Sequence, residues 1–331
     1  MLGLLLGLVG VVAPLKGQAR KTELLNVSFD ISRELFGELN AAFVADWKTR
    51  TGETVIVRQS HAGSSKQARA VIDGLEADVV TLNQATDLDV MASGGAVATD
   101  WRSQFAGGAS PYTSAVVFLV RPGNPKRIRD WSDLIRTNVT VVLPNPKTSG
   151  NGRYSFLAAY AYARHRLNYD EARTLEFLKS LLRNVPVLDT GGRAATTTFA
   201  QRGIGDVLLT FEAEARLTAR ELGTKGFEVV LPEYNIEAEM PVAVVDRVVR
   251  KKGTETVARA YLNFLYTEAA QEIIARHGFR PRSEAVLARH AADFGGAKFF
   301  RVEPTLGPWG EVQKRHFAEG GTFDQIFQNL R

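Results

Sequence analysis

Three short polar, glycine-bearing stretches recur along the chain, each between a strand-like and a helix-like segment: His61-Ala62-Gly63-Ser64-Ser65-Lys66-Gln67, Thr148-Ser149-Gly150-Asn151-Gly152-Arg153 and Thr190-Gly191-Gly192-Arg193-Ala194-Ala195-Thr196. A helix start leaves backbone N–H groups without intrahelical acceptors and carries the positive end of the helix dipole. Glycine and serine let an anion come close to those groups. One such elbow is an ordinary loop; three in one chain point to helix ends converging on an anion. The residues argue against covalent chemistry. The phosphate-loop spacing G-x-x-x-x-G-K-[ST] is absent, and Gly63 stands three before Lys66 where a nucleophilic serine would be needed. Ser60 and His61 are sequence neighbours, which is not the geometry of a Ser–His pair. The five histidines are scattered, so no metal site and no cofactor are expected.

Asp30 follows the first strand-like segment and has two readings. It is a plain N-cap, or its backbone N–H points at the anion while helix donors hold its carboxylate back. Arg153 and Arg193 follow the second and third elbows; pairing with nearby carboxylates is the favoured reading. A sulfur oxyanion is fully deprotonated near neutral pH, so donors alone suffice for it. Phosphate keeps a proton and needs an acceptor as well.

The elements that must place these elbows alternate. Residues 23–29 read as a strand, and 32–48 as a helix with Leu35, Leu39, Phe43 and Trp47 at helical spacing. Strand 54–58, helix 65–75 and strand 77–82 follow, an order that predicts a mainly parallel sheet. A long strand over 111–120 precedes a second run: strand 139–143, helix 153–165, strand 185–188, helix 194–202 and strand 206–210. Strands at 227–231 and 242–245 and helices at 254–266 and 268–276 complete it. Two α/β units in series imply two lobes and a cleft. Open α/β sheets bind ligands beyond the C-terminal ends of their strands, where all three elbows fall.

Composition sets the frame. At 331 residues, 45% hydrophobic and 23% charged, the chain suits a soluble globular protein of two domains. The net charge of +5 comes without a basic block or readable motif, so no nucleic-acid partner is expected. The apolar run at 1–13 is too short to span a bilayer and is followed by small residues at Gly17 and Ala19, which predicts an export signal over 1–19. There is no cysteine, which excludes disulfides, thiol catalysis and an N-terminal lipidated cysteine.

Together these segments resemble the periplasmic sulfate- and thiosulfate-binding proteins of ABC importers. The resemblance rests on LLNVSFDISRELF (24–36), QSHAGSSKQA (59–68), GLEADVVTL (74–82), SPYTSAVVFLVRPGNPK (110–126), PNPKTSGNGRY (144–154), LDTGGRAATTTF (188–199) and RGIGDVLLTFEAEA (202–215), and covers nearly the whole chain after residue 22. It implies an α/β, two-lobed type II periplasmic-binding-protein fold, with 20–105 plus 246–331 as one lobe and 106–245 as the other. It also implies a monomeric periplasmic receptor that delivers thiosulfate or sulfate to a membrane ABC permease. Carried over by motif, the anion's ligands are the backbone N–H groups of Asp30, Gly150, Asn151 and Gly192, and the N–H and hydroxyl of Ser64. One position departs from the sulfate pattern: Phe211 stands where those members have a tryptophan whose indole N–H donates. Phenylalanine cannot donate, and this departure fits the thiosulfate branch. The remaining readings are a receptor preferring sulfate, molybdate or phosphate, an oxyanion-processing enzyme, and a regulator's sensing domain. The enzyme lacks an evident nucleophile or base, and the regulator a DNA-reading segment.

Overall fold

The computed structural model describes residues 22–221, 226–328 and 330; the expected signal at 1–19 lies outside them. The chain opens with β1 (Thr22–Phe29), α1 (Arg33–Thr51), β2 (Val55–Ala62), α2 (Ser64–Ile72), β3 (Val79–Thr81), α3 (Ala85–Ser93) and the kinked turn α4 (Ala106–Ala109). It continues with β4 (Tyr112–Ser114), β5 (Val116–Val120), β6 (Val141–Pro144), α5 (Gly150–Arg166), α6 (Glu171–Arg183), β7 (Leu188–Asp189), α7 (Gly192–Thr196), β8 (Val207–Phe211) and α8 (Glu212–Glu221). The rest comprises β9 (Glu228–Val230), β10 (Tyr234–Ile236), β11 (Ala238–Glu239), β12 (Val242–Val244), α9 (Asp246–Lys252), α10 (Glu255–Phe264), α11 (Glu268–Arg276), β13 (Arg280–Pro281), α12 (Glu284–Arg289), β14 (Lys298–Phe300), α13 (Val302–Leu306), α14 (Trp309–His316) and α15 (Thr322–Gln328).

Helix α1 shows how the sequence dictates an element. Leu35, Leu39, Phe43 and Trp47 form one buried stripe at four-residue spacing. The helix stops at Gly52, whose φ of 75° suits glycine and whose N–H bonds Lys48 O. The stripe packs toward the sheet β12-β3-β1-β2, in which β1 runs parallel to both β2 and β3 and β12 adds antiparallel to β3.

The second large sheet has the order β7-β6-β8-β5-β9. Here β6 runs parallel to β7 and β8, but β5 runs antiparallel to β8 and β9, so the sheet is mixed rather than mainly parallel. The strand expected over 111–120 is two strands broken at Ala115. β4 pairs with β11 and β13 in a small separate sheet, while β5 joins the second large one. Entering from that side turns β5 against its neighbours. Both faces of β5 are covered: Val116, Phe118 and Val120 enter the main core, and Val117 and Leu119 a second core with Val142, Phe199 and Leu208. That explains its unbroken apolar run.

The C-terminal helices pack on the second sheet's helices. Trp309 meets Tyr154 edge to face at 5.6 Å, and Phe323 meets Phe156 at 6.0 Å. Lys147 bridges to Asp324 at 2.7 Å, and Arg315 to Glu171 at 2.8 Å.

Candidate anion-binding site

The two large sheets present their C-terminal strand ends to each other. Phe29 pairs with Ala62, so Asp30 and Gly63 leave the first sheet side by side. Pro144 pairs with Asp189, so the second and third elbows leave the second sheet in the same way. Thr148 Oγ1 donates to Thr190 O at 3.0 Å and ties those two elbows together.

Each elbow opens a helix. Gly63 precedes α2, and the first N–H to find an intrahelical acceptor there is Gln67, on Gly63 O. Helix α5 starts at Gly150, with Ser149 Oγ accepting from Gly152 N at 3.4 Å. Helix α7 starts at Gly192. The N–H groups of Ser64, Gly150, Asn151 and Gly192 therefore sit where helices leave donors without intrahelical partners.

Close approaches across the gap hold the two sides together. Gln84 Nε2 donates to Gly150 O at 3.2 Å. A methyl placed on Gly150 would lie 2.0 Å from Asn83 Oδ1, and one on Gly192 2.5 Å from Ile31 Cδ1. A side chain at either position would force these neighbours to shift. Asn83 Oδ1 and Gln84 Oε1 are buried without hydrogen-bond partners. A cavity of about 550 Å³ opens beside the elbows, lined among others by Asp30, Gly63, Lys66, Lys147, Thr148 and Gly191. Of the six predicted site residues only Asp30 lines it; Ser64, Gly150, Asn151, Gly192 and Phe211 are buried.

Both arginines that follow elbows are engaged with carboxylates. Arg153 Nη1 lies 3.7 Å from Asp87 Oδ1, both side chains being buried, and its Nε donates to Pro146 O at 3.0 Å. Arg193 bridges to Glu34 at 3.0 Å and to Glu214 at 3.2 Å. Burial raises the Asp87 carboxyl above its usual range even beside Arg153 and two serine hydroxyls, and lowers the Arg153 guanidinium. Burial pushes Glu214 up to about 7, against the pull of Arg193. His61 lies 3.1 Å through Nδ1 from Phe29 O, and burial lowers its pKa, so it brings no cation at neutral pH.

Asp30 does not cap its own helix. Its Oδ1 accepts from Ile31 N at 3.1 Å, and its Oδ2 reaches across the gap to Arg193 N of α7 at 3.3 Å. The carboxylate is thus held by backbone donors, the second of the two readings offered for it. Ser64 offers less than expected. Its hydroxyl donates to Asp87 Oδ2 at 2.6 Å and its Oγ accepts from Asn83 N at 3.3 Å. A hydroxyl has one proton, so the donor Ser64 leaves free is its backbone N–H. Phe211 ends β8, fully buried, with its ring 5.9 Å from that of Tyr154.

Asn83, Gln84 and Asp87 belong to the site's frame but were not among the predicted site residues. They stand 19 to 23 residues beyond Ser64, and only the fold brings them under it. Among the described residues no His, Asp and Glu cluster could hold a metal, and no helix is long and apolar enough to cross a membrane.

Two α/β halves that meet through glycine-bearing helix starts, with their arginines paired to carboxylates, define a solute receptor. The chain belongs to the bacterial extracellular solute-binding proteins, whose family model matches residues 33–280. It is 54% identical over 305 residues to a thiosulfate-binding protein of Pseudomonas aeruginosa, covering 92% of each chain. It is 50% identical over 320 residues to a sulfate-binding protein of Escherichia coli, covering 97% of each. Among solved structures, the sulfate-binding protein SubI of Mycobacterium tuberculosis is similar at a TM-score of 0.81 and 34% identity, over 89% of this chain and 99% of that one.

Proposed function

We propose that this protein is the monomeric periplasmic receptor of a sulfur-oxyanion importer, binding thiosulfate and also sulfate and delivering them to a membrane ABC permease. The observation that carries the reading is the set of helix starts meeting across one gap while Arg153 and Arg193 are paired with carboxylates. Such a site offers uncharged N–H donors to a dianion. The anion's ligands in this reading are the backbone N–H groups of Asp30, Ser64, Gly150, Asn151 and Gly192, with the Phe211 ring at one wall. Preorganised donors in a water-excluded gap act far more strongly than in water, and neutral ones avoid an ion pair too tight to release. The similarity to thiosulfate- and sulfate-binding proteins supports the same ligand class.

Lobe closure is the motion that makes the site. The chain passes from the small sheet into the second large one at Ala115 and from the small sheet into the first between β11 and β12, so the small sheet links the two halves and hinge rotation there needs only a few dihedrals. The packing of α14 and α15 puts the last helices beside the second sheet. Thiosulfate is favoured over sulfate because Phe211 has no donor to give a fourth oxygen, whereas its ring accommodates a larger terminal sulfur that accepts hydrogen bonds poorly.

Phosphate is the second reading, on one observation: Asn83 Oδ1 is an unpartnered acceptor beside Gly150, suited to accept a hydrogen bond from a phosphate O–H. A thermal-shift panel of thiosulfate, sulfate, phosphate and molybdate on the protein and on Phe211→Trp separates these. The protein should be stabilised most by thiosulfate. The tryptophan variant should shift toward sulfate, because one donor to a charged oxygen is worth about 1.5–3 kcal/mol. No shift with any anion would sink the receptor reading, and a largest shift with phosphate would replace it.

A further inference from the structure

Asn151 contributes a side chain as well as a backbone N–H. It is 1% exposed. Its Nδ2 donates to Thr210 Oγ1 at 2.9 Å, and its Oδ1 accepts from Ser155 Oγ at 3.4 Å. Thr210 is the residue of β8 immediately before Phe211. A methyl built on Gly192 would lie 3.0 Å from Asn151 Nδ2. One amide therefore fills the space between the start of α5, the start of α7 and the end of β8. These are three of the parts that the proposed site takes from the second sheet's side.

We infer that the Asn151 side chain is a specificity-determining spacer, an inference that rests on the sulfur-oxyanion reading. Wedged between Gly192 and Thr210, it holds the α7 start and the end of β8 apart from the α5 start. The separation it sets admits thiosulfate, whose sulfur–sulfur bond is longer than a sulfur–oxygen bond and whose terminal sulfur is larger than oxygen. Glycine at 151 would keep the backbone donor and leave a void bounded by Gly192, Ser155 and Thr210. Packed interiors relax only partly into such voids. The part that does relax draws α7 and β8 inward and favours the smaller sulfate.

Calorimetric titration of the full chain with sodium thiosulfate and with sodium sulfate tests this, read as the ratio of the two association constants. Asn151→Gly should lower the thiosulfate-to-sulfate ratio about fivefold or more, chiefly by weakening thiosulfate. Asn151→Leu, of similar size but without the amide, should keep most of the ratio, because a spacer acts by volume. Equal weakening of both anions in Asn151→Gly would mark a merely structural residue and overturn the inference, as would an unchanged ratio. Loss of the ratio in the leucine variant as well would also overturn it, by assigning the effect to the hydrogen bond. The readout is a change between variant and parent, so it stands whichever anion the parent prefers. A parent that binds neither anion refutes the receptor reading first, and the spacer with it.

Discussion

Gly150→Ala should disable anion binding while sparing the fold. The added methyl would sit 2.0 Å from Asn83 Oδ1 and 2.8 Å from Gln84 Cγ, closer than a Cβ atom approaches any heavy-atom neighbour in folded proteins. Neither neighbour can easily move away, since Asn83 is 3% exposed and Gln84 is fully buried. Over-packing of this kind costs about 1–3 kcal/mol, and with both contacts below 3 Å the upper end applies. About 3 kcal/mol corresponds to affinity weaker by roughly 100-fold. Asn83 and Gln84 follow β3 of the first sheet, while Gly150 starts a helix of the second. The clash therefore arises only when the two halves are together. In the open protein alanine is the better helix former, by up to about 1 kcal/mol. Calorimetry with thiosulfate should show the loss of affinity, and thermal melts without anion should show an unchanged or slightly higher midpoint. A variant that binds thiosulfate normally would show that the halves do not close through this contact. A variant whose anion-free midpoint falls would show that Gly150 serves folding instead.

Two further substitutions probe the surroundings. Glu34→Gln removes one partner of Arg193 across the gap; both side chains are about one-third exposed, so the pair is worth no more than about 1 kcal/mol. Thiosulfate affinity should fall by up to about fivefold at low ionic strength and by less at high salt; an unchanged low-salt affinity would contradict the bridge's role. His316 is buried among Phe156, Tyr160 and Phe317, and burial lowers its pKa to about 4. The folded protein keeps it neutral, whereas the unfolded chain takes up a proton below about 6.5. Stability is therefore lost as pH falls from about 6.5 toward 4, by about 2 kcal/mol between pH 7.5 and 5. In urea unfolding at those two pH values, His316→Phe should lose less than the parent by about that amount, and equal losses would refute the assignment.

The elbows were legible because glycine and serine between a strand and a helix leave a local mark. The α1 stripe was legible because its spacing is local too. What escaped was long-range. Nothing near Asp30 shows that its carboxylate reaches Arg193 N, 163 residues away, and nothing near Ser64 shows Asp87 claiming its hydroxyl proton. The break at Ala115 has no periodic signature, because both flanking strands are buried throughout and neither alternates between a buried and an exposed face. Helix α6 was readable: Thr174, Leu178, Leu181 and Leu182 form a buried face, yet it was absent from the expected elements. The pairing of Arg153 and Arg193 with carboxylates followed from chemistry, since a site meant to release its anion is better built from neutral donors.

A crystal structure of the thiosulfate complex tests the central claim most directly. The anion's oxygens should lie within hydrogen-bond distance of the backbone N–H groups of Asp30, Ser64, Gly150, Asn151 and Gly192. The terminal sulfur should face Phe211, with Arg153 and Arg193 still on their carboxylates. An anion held by a guanidinium or ammonium group, or bound away from these helix starts, would contradict it.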